Sequence, residues 1–97
     1  MIEIVQVGGW CKDKFYGKKI EFLYIIGPKE KESKKAVKIG SEWIPKACIE
    51  GVREISEMEF KRILESSSDE EEVIKRLGLN ANTFVERDPD TFIAYLF

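Results

Sequence analysis

The side chains best suited to binding chemistry are lysines that alternate with aromatic residues near the start of the chain. Residues 10–19 (WCKDKFYGKK) hold four lysines and three aromatic rings. Ammonium groups neutralise phosphates, and aromatic faces stack on bases at about 1–3 kcal/mol per base. The pattern predicts a surface for single-stranded nucleic acid that reads no base edges. Its predicted contacts are Trp10, Lys12, Lys14, Tyr16, Lys18, Lys19, Lys34 and Lys35.

The charge of the chain is divided unevenly along its length. The net charge is −2, but the first fifty residues carry ten lysines against seven acids, whereas the rest carries eleven acids against six bases. The lysines of residues 12–19 and 29–35 flank one predicted strand, so a bend or a closed barrel must bring them together. A second interpretation stays open: Trp10, Phe15 and Trp43 fill a small core, and the lysines only keep the loops soluble.

Catalysis finds little support among the side chains. The chain has no histidine, the commonest acid–base catalyst and metal ligand. Lys12 beside Cys11 could lower the pKa of the thiol, but Cys11 has no base, and two cysteines alone cannot build a zinc site. We therefore predict a protein that is not an enzyme, with no cofactor and no metal. Free intracellular thiols are the default for Cys11 and Cys48, and a single disulfide stays open, since hyperthermophile cytosols tolerate disulfides.

The first half of the chain reads as β-structure. Alternating or continuous apolar residues bounded by Gly and Pro predict strands over residues 1–7, 20–26, 36–39, 42–44 and 48–55. Gly27-Pro28 is expected to end the second strand, and Gly51 to mark a bulge in the last. Residues 10–19 show no clean period and are expected to be a long loop or a bent strand, and residues 29–35 a charged link.

Two short helices are predicted between residues 56 and 78. Ser56 and Glu59 form a capping box, with Ile55 and Phe60 as the matching hydrophobic staple. The serine triplet at residues 66–68 is expected to end this helix and to cap the next, whose first turn holds residues 69–72 (DEEE). Gly78 is expected to end the second helix in the left-handed conformation.

The chain ends in a predicted β-hairpin over residues 83–97, with a type I turn at residues 88–91. Its last six residues are almost all apolar, which is typical of a central strand; the alternative is an edge that binds a partner. The fold class is α+β: one domain over residues 1–97, with a small antiparallel sheet or barrel of about five or six strands and two short helices inserted before the hairpin. Residues 1–55 are mostly β, and residues 56–78 are the helical pair.

Composition and one short motif bear on the origin of the chain. Heavy use of Lys and Glu with few amides is the trend of hyperthermophile proteins, although an AT-rich mesophile genome gives a similar bias. The segment KAVKI, a Gly turn and EWIPK (residues 35–46) resembles a pattern in small, uncharacterised phage and archaeal mobile-element proteins. The resemblance implies a small β-barrel-like fold and a viral or plasmid origin.

The leading functional prediction is a non-enzymatic module of a virus or mobile element from a hot-environment host, which binds single-stranded nucleic acid. The alternative is an adaptor or inhibitor of host machinery that acts as a homodimer through Tyr95, Leu96 and Phe97. No apolar run approaches the roughly 18–20 residues of a membrane span, so no membrane partner is expected. The predicted location is intracellular, in the cytoplasm, including that of an infected host cell.

Overall fold

The computed structural model describes residues 1–16, 20–88 and 90–97, with side chains for all of these except residues 13–16 and 88. The strands of this part are β1 (Ile2–Val7), β2 (Phe22–Glu32), β3 (Ala36–Ile39), β4 (Glu42–Pro45), β5 (Ile49–Ile55), β6 (Thr83–Asp88) and β7 (Thr91–Leu96). The helices are α1 (Gly9–Tyr16), α2 (Glu57–Ser66) and α3 (Glu70–Leu77), and a 3-10 turn (Lys46–Cys48) joins β4 to β5.

The long strand β2 organises an antiparallel sheet. Its first part lies between β1 and β7, β1 also pairs with β5, and β7 with β6. Its last part pairs with β3, which pairs with β4. The fold is α+β with a small antiparallel sheet, as predicted, but in the described residues the sheet has seven strands and does not close into a barrel. The β3–β4 hairpin instead folds over one face of the sheet, and α2 and α3 cover the other.

Alternation along β2 sends apolar side chains to both faces. Tyr24 and Ile26 join the helix-side core, where they pack with Phe60 of α2 and Ile74 of α3. Leu23 and Ile25 join the hairpin-side core, which holds the residues Val5, Val7, Cys11, Ile20, Val37, Ile39, Ile44, Cys48 and Ile93. The sheet is therefore buried on both faces, with its two cores separated by β2.

The prediction that Gly27-Pro28 ends the second strand is wrong, because β2 continues to Glu32. At this glycine–proline step the pairing of β2 with β7 ends and the pairing of β2 with β3 begins. Pro28 has no N–H, but its carbonyl accepts from Gly40 N at 2.8 Å. A Cβ at Gly27 would lie 2.6 Å from the Asp90 carbonyl oxygen, so this close approach of chains needs glycine. Only residues 33–35 of the expected charged link remain as a turn.

The prediction of a loop or bent strand after β1 is also wrong: residues 9–16 form α1. This helix has no clear apolar stripe in its sequence, and its buried anchor is the half-cystine Cys11, 2% exposed and disulfide-bonded to Cys48. The default of free thiols is therefore corrected to a disulfide, which leaves no free cysteine in the described chain. Residues 17–19, the end of the expected loop, lie outside the described residues.

The local signals of the helical pair are present. Ser56 Oγ accepts from Glu59 N at 3.1 Å, and Gly78 ends α3 with φ +69°. The second cap is Asp69 and not the serine triplet, since Asp69 Oδ1 accepts from Glu72 N at 2.9 Å. Two of the serines bond backwards to α2 carbonyls, which leaves the aspartate to cap α3.

The apolar end of the chain is a central strand, because β7 pairs with both β2 and β6. This confirms the favoured interpretation for residues 92–96 of the last six, whereas Phe97 lies beyond the strand and is exposed. The expected type I turn includes Pro89 and so falls outside the described residues. Within the described part, no helix has the length and apolar character needed to cross a membrane.

Candidate nucleic-acid interface

The outer face of the β3–β4 hairpin carries a row of one indole and two ammonium groups. Side chains that oppose each other in antiparallel strands lie on the same face. Val37 opposes Ile44, and both point into the hairpin-side core. Their neighbours Lys38 and Trp43 oppose each other and therefore point outward, and Lys31 of β2 opposes Lys38. Trp43 is 47% exposed, so its ring is accessible to a ligand.

The carboxylates near this face are mostly engaged by other cations. Glu32 contacts both Lys29 and Lys46, and Glu42 contacts Arg87 at 3.3 Å. Glu30 stays exposed beside the register shift that separates residues 29 and 31. Among the described residues, four lysines of this segment have no ion pair; with Trp43 they form what we call the hairpin surface: Lys31, Lys34, Lys35, Lys38 and Trp43.

The predicted site divides into two groups. Lys34 and Lys35 are exposed in the turn between β2 and β3 and belong to the hairpin surface. Trp10 is 60% exposed at the start of α1, and Lys12 is half-buried, with its Nζ donating to the Glu21 carbonyl at 3.2 Å. The remaining predicted contacts fall outside the described side chains: Lys14, Tyr16, Lys18 and Lys19.

The interpretation of the two tryptophans as core residues is wrong. Cys11 and Ile44, the neighbours that follow Trp10 and Trp43 in the chain, take the buried positions. The α1 indole lies on the solvent side of a helix fixed by the disulfide, and the hairpin indole lies on the outer side of a two-stranded layer. Both rings are therefore partly exposed to solvent.

A chain of covalent and hydrogen bonds connects Lys12 of α1 to Lys35 of the hairpin surface, although the two residues lie near opposite ends of β2. Lys46 N donates to the Lys35 carbonyl at 2.8 Å, which ties the 3-10 turn to the end of the hairpin. Cys48 ends that turn, and its Cα lies 6.2 Å from that of Cys11. With 3.8 Å between successive Cα atoms, this path keeps Lys35 and Lys12 within about 25 Å of each other. Because the molecule measures 36 × 29 × 21 Å, this bound links the two groups but does not place them on one face.

The sequence analysis missed Lys31, Lys38 and Trp43 as members of one surface. The signal that could have found them is the alternation in residues 36–39 (AVKI) and 42–45 (EWIP). Once Val37 and Ile44 are assigned to the core, the pleat forces Lys38 and Trp43 onto the other face. The pairing of Lys31 with Lys38 depends on the register shift between Lys29 and Lys31 in β2, and no sequence pattern predicts this shift.

A groove opens on the inner side of the same hairpin, where the sheet stays unclosed. Its volume is about 400 Å³, and its lining combines apolar side chains of β1, β3 and β5 with Glu3, Lys29, Glu32 and Lys46. The pKa of the Glu32 carboxyl is lowered to about 2, first by its hydrogen bond with Lys29 and then by that with Lys46. The pKa of Lys29 is raised by the same contact. In this groove Lys29 and Lys46 both contact Glu32, and Glu3 is a second carboxylate in the lining.

No protein-family model, curated protein or solved structure matches this chain. Among the described residues, no three acidic or cysteine side chains come together as a metal site. The function must therefore be argued from the geometry of these surfaces, which hold ammonium groups and indole rings. That chemistry suits the binding of a ligand that is both anionic and planar.

Proposed function

We propose that this protein binds single-stranded nucleic acid through the hairpin surface and catalyses no reaction. The observation that carries the proposal is the exposed Trp43 ring in register with Lys38 and Lys31, which have no ion pair among the described residues. An indole offers a face to any base, and the lysines beside it neutralise phosphates. A single strand fits this arrangement because its bases are free to stack on a side chain.

The number of unpaired lysines gives the expected salt dependence. If the four lysines of the hairpin surface each meet one phosphate, the slope of log K against log salt concentration is about −0.7 for each contact, or about −2.8 in total. Lysine contacts to phosphate carry no sequence information, so affinity should vary little with base sequence. The proposed activity is thus general binding of single strands.

The α1 group extends this proposal along the molecule. Trp10 supplies a second exposed indole, and Lys12 retains ammonium protons beyond the one donated to Glu21. Lys14, Tyr16, Lys18 and Lys19 remain proposed contacts of the same strand. The origin in a virus or mobile element of a hot-environment host also remains a proposal, which rests on the Lys/Glu-rich composition and on the resemblance of residues 35–46.

A charge-reversal pair tests the surface. The double variant Lys31→Glu/Lys38→Glu should weaken binding of a fluorescein-labelled oligothymidylate at least tenfold by anisotropy at low salt. Lys61→Glu/Lys75→Glu is the matched control, because it changes the net charge equally at exposed positions on α2 and α3. Equal losses in both variants, or a wild-type affinity that does not change with salt, would contradict the proposal.

The two indoles can be tested separately. Trp43→Ala should weaken oligonucleotide binding by about five- to 150-fold, which corresponds to about 1–3 kcal/mol for one stacked base. In Trp10→Ala the only tryptophan is Trp43, so quenching of its emission by oligothymidylate reports stacking at the hairpin directly. Unchanged emission at saturating ligand would show that Trp43 takes no part.

The alternative is a homodimer that acts as an adaptor or inhibitor of host machinery. Its one favourable observation is Phe97, which is 60% exposed and packs its ring on that of Tyr95 at 5.0 Å. The backbones of Tyr95 and Leu96 pair within the sheet and their side chains are half-buried, so Phe97 is the most exposed of the three. A dimer by light scattering that dissociates in Phe97→Ser, with no oligonucleotide binding, would favour this alternative.

A further inference from the structure

The inner side of the hairpin carries an ion cluster of two lysines and one glutamate. Lys29 Nζ lies 2.5 Å from Glu32 Oε1, and Lys46 Nζ lies 2.7 Å from Glu32 Oε2. Each carboxylate oxygen therefore receives its own ammonium group. All three side chains are 40–44% exposed, so this cluster is open to solvent at the rim of the groove.

The surface beside the cluster is apolar. Val5, Val37, Ile49 and Val52 line the same groove, and Val52 is 50% exposed although its β1 partner Val5 is fully buried. The groove therefore offers an apolar floor next to two cations, with Glu3 as a second carboxylate in its lining. A nucleotide has matching parts, since its base is planar and weakly polar on its faces and its phosphate has two charged oxygens.

We propose that the groove is a second binding position for the same nucleic-acid strand, in which Glu32 occupies the place of a phosphodiester until the ligand displaces it. This inference rests on the proposed function. It adds to it the groove as a second binding position and Glu32 as a side chain that competes with the ligand. The two non-bridging phosphate oxygens take over one ammonium group each from the two carboxylate oxygens. No covalent bond changes, and Glu32 turns into solvent.

The backbone connects this groove to the hairpin surface. The hydrogen bond from Lys46 N to the Lys35 carbonyl places the groove rim directly beside the turn that carries Lys34 and Lys35. A strand stacked on Trp43 can therefore pass around the end of the hairpin and enter the groove. Because Glu32 is exposed, its displacement uncovers no buried group, and the low pKa of its carboxyl reflects how strongly this spot favours an anion.

Two neighbouring amide variants test the inference. Glu32→Gln removes the competitor, whereas Glu30→Gln makes the same charge change at an exposed residue with no ion pair in the described chain. With labelled oligothymidylate, Glu32→Gln should bind at least fivefold more tightly than Glu30→Gln. Its salt slope should be steeper by about 0.7, the value for the one further phosphate that Glu32 keeps out of the groove in most wild-type complexes. Glu30→Gln should keep the wild-type slope.

A third variant keeps the test decisive if Glu32→Gln has a general effect on folding, which circular dichroism would reveal. Lys46→Gln added to Glu32→Gln should cancel most of the gain in affinity, since it removes one of the two cations that bind the phosphate. Equal slopes in the two glutamine variants would overturn the groove position while leaving the proposed function intact. A wild-type protein that binds no oligonucleotide would instead overturn the proposed function itself.

Discussion

The helical layer and the hairpin layer cover opposite faces of one sheet and use their charges differently. Residues 56–78 of the helical layer contain seven acids and four bases, and residues 29–46 of the hairpin layer contain six lysines and three glutamates. In the helical layer Asp69 caps α3, Arg53 donates to the Leu77 carbonyl at 2.7 Å, and Arg76 donates to the hydroxyls of Ser66 and Ser67. These polar groups hold helices in place.

The hairpin layer has cations that the fold does not use. Its glutamates Glu32 and Glu42 have cationic partners, and four lysines are left over in the described chain. The 47% of Trp43 that stays exposed beside these lysines adds nothing to folding, because only buried apolar area stabilises the fold. The excess of lysines in the hairpin layer and its exposed indole support the proposal that this layer contacts a ligand. The variants below separate ligand contact from stability.

Phe60→Ala should have the largest effect, on stability alone. The ring is 5% exposed in the helix-side core and meets the Phe92 ring edge-on at 5.3 Å. Removal of a buried phenylalanine costs about 3–5 kcal/mol, so the urea midpoint should fall strongly. The folded fraction should bind oligonucleotide with unchanged affinity, and a loss of intrinsic affinity would show that the two layers are not independent.

The disulfide should have a similar effect on stability and should also hold α1, the helix that carries Trp10. Cys11 and Cys48 are 37 residues apart, and closing such a loop stabilises by about 3–4 kcal/mol in the chain-entropy model. Cys11→Ser/Cys48→Ser should lower the thermal midpoint and also loosen α1, with faster exchange of its hydrogen-bonded amides at residues 12–16. Exchange that stays as slow as in the oxidised protein would show that α1 is held by other contacts.

Two glycines with positive φ provide the next comparison between the layers. A Cβ at Gly40 would overlap Thr91 Oγ1, which accepts from Ser41 N at 2.8 Å, whereas a Cβ at Gly78 has its nearest atom 3.7 Å away. Gly40→Ala should therefore destabilise by about 2–3 kcal/mol, and Gly78→Ala by only about 1 kcal/mol. Chemical denaturation of both variants measures the difference in their free energies of unfolding. Equal losses of stability would show that the cost comes from the positive φ alone and not from the overlap with Thr91.

Local signals in the sequence were sufficient for the helical layer and insufficient for the hairpin layer. The Ser56 cap and the Gly78 terminus depend on atoms within a few residues, so their pattern is readable. Helix α1 depends on a disulfide to a residue 37 positions away, and the continuation of β2 depends on Gly40 and Thr91, which come from distant parts of the chain. Strand alternation could predict that Trp43 is exposed, but only once its strand is assigned to a hairpin that covers a core.

Ser56→Ala should have a smaller effect, confined to the helical layer. The serine hydroxyl accepts from Glu59 N, and loss of such a cap costs about 1 kcal/mol. Thermal unfolding should show the decrease, and oligonucleotide affinity should not change.

Ser41→Ala is a useful contrast, because its backbone N–H keeps the bond to Thr91 Oγ1 when the side chain is removed. A larger cost for Ser41→Ala than for Ser56→Ala would show that the hydroxyl contact to Thr91 matters more than the cap.

The smallest effect concerns the titration of Glu32. Its pKa is lowered to about 2 from an ordinary value of 4.5 by Lys29 and Lys46. A depressed folded-state pKa means that the ion pairs contribute fully above about pH 4.5 and are lost as the pH falls toward 2. Carboxyl chemical shifts should place the midpoint near 2 in the wild type, and Lys46→Met should raise it toward 4.5. Because the cluster is exposed, added salt should raise it as well. A midpoint that responds to neither change would show that the two lysines do not hold the carboxylate in solution, and the groove would then have no preformed site for a phosphate.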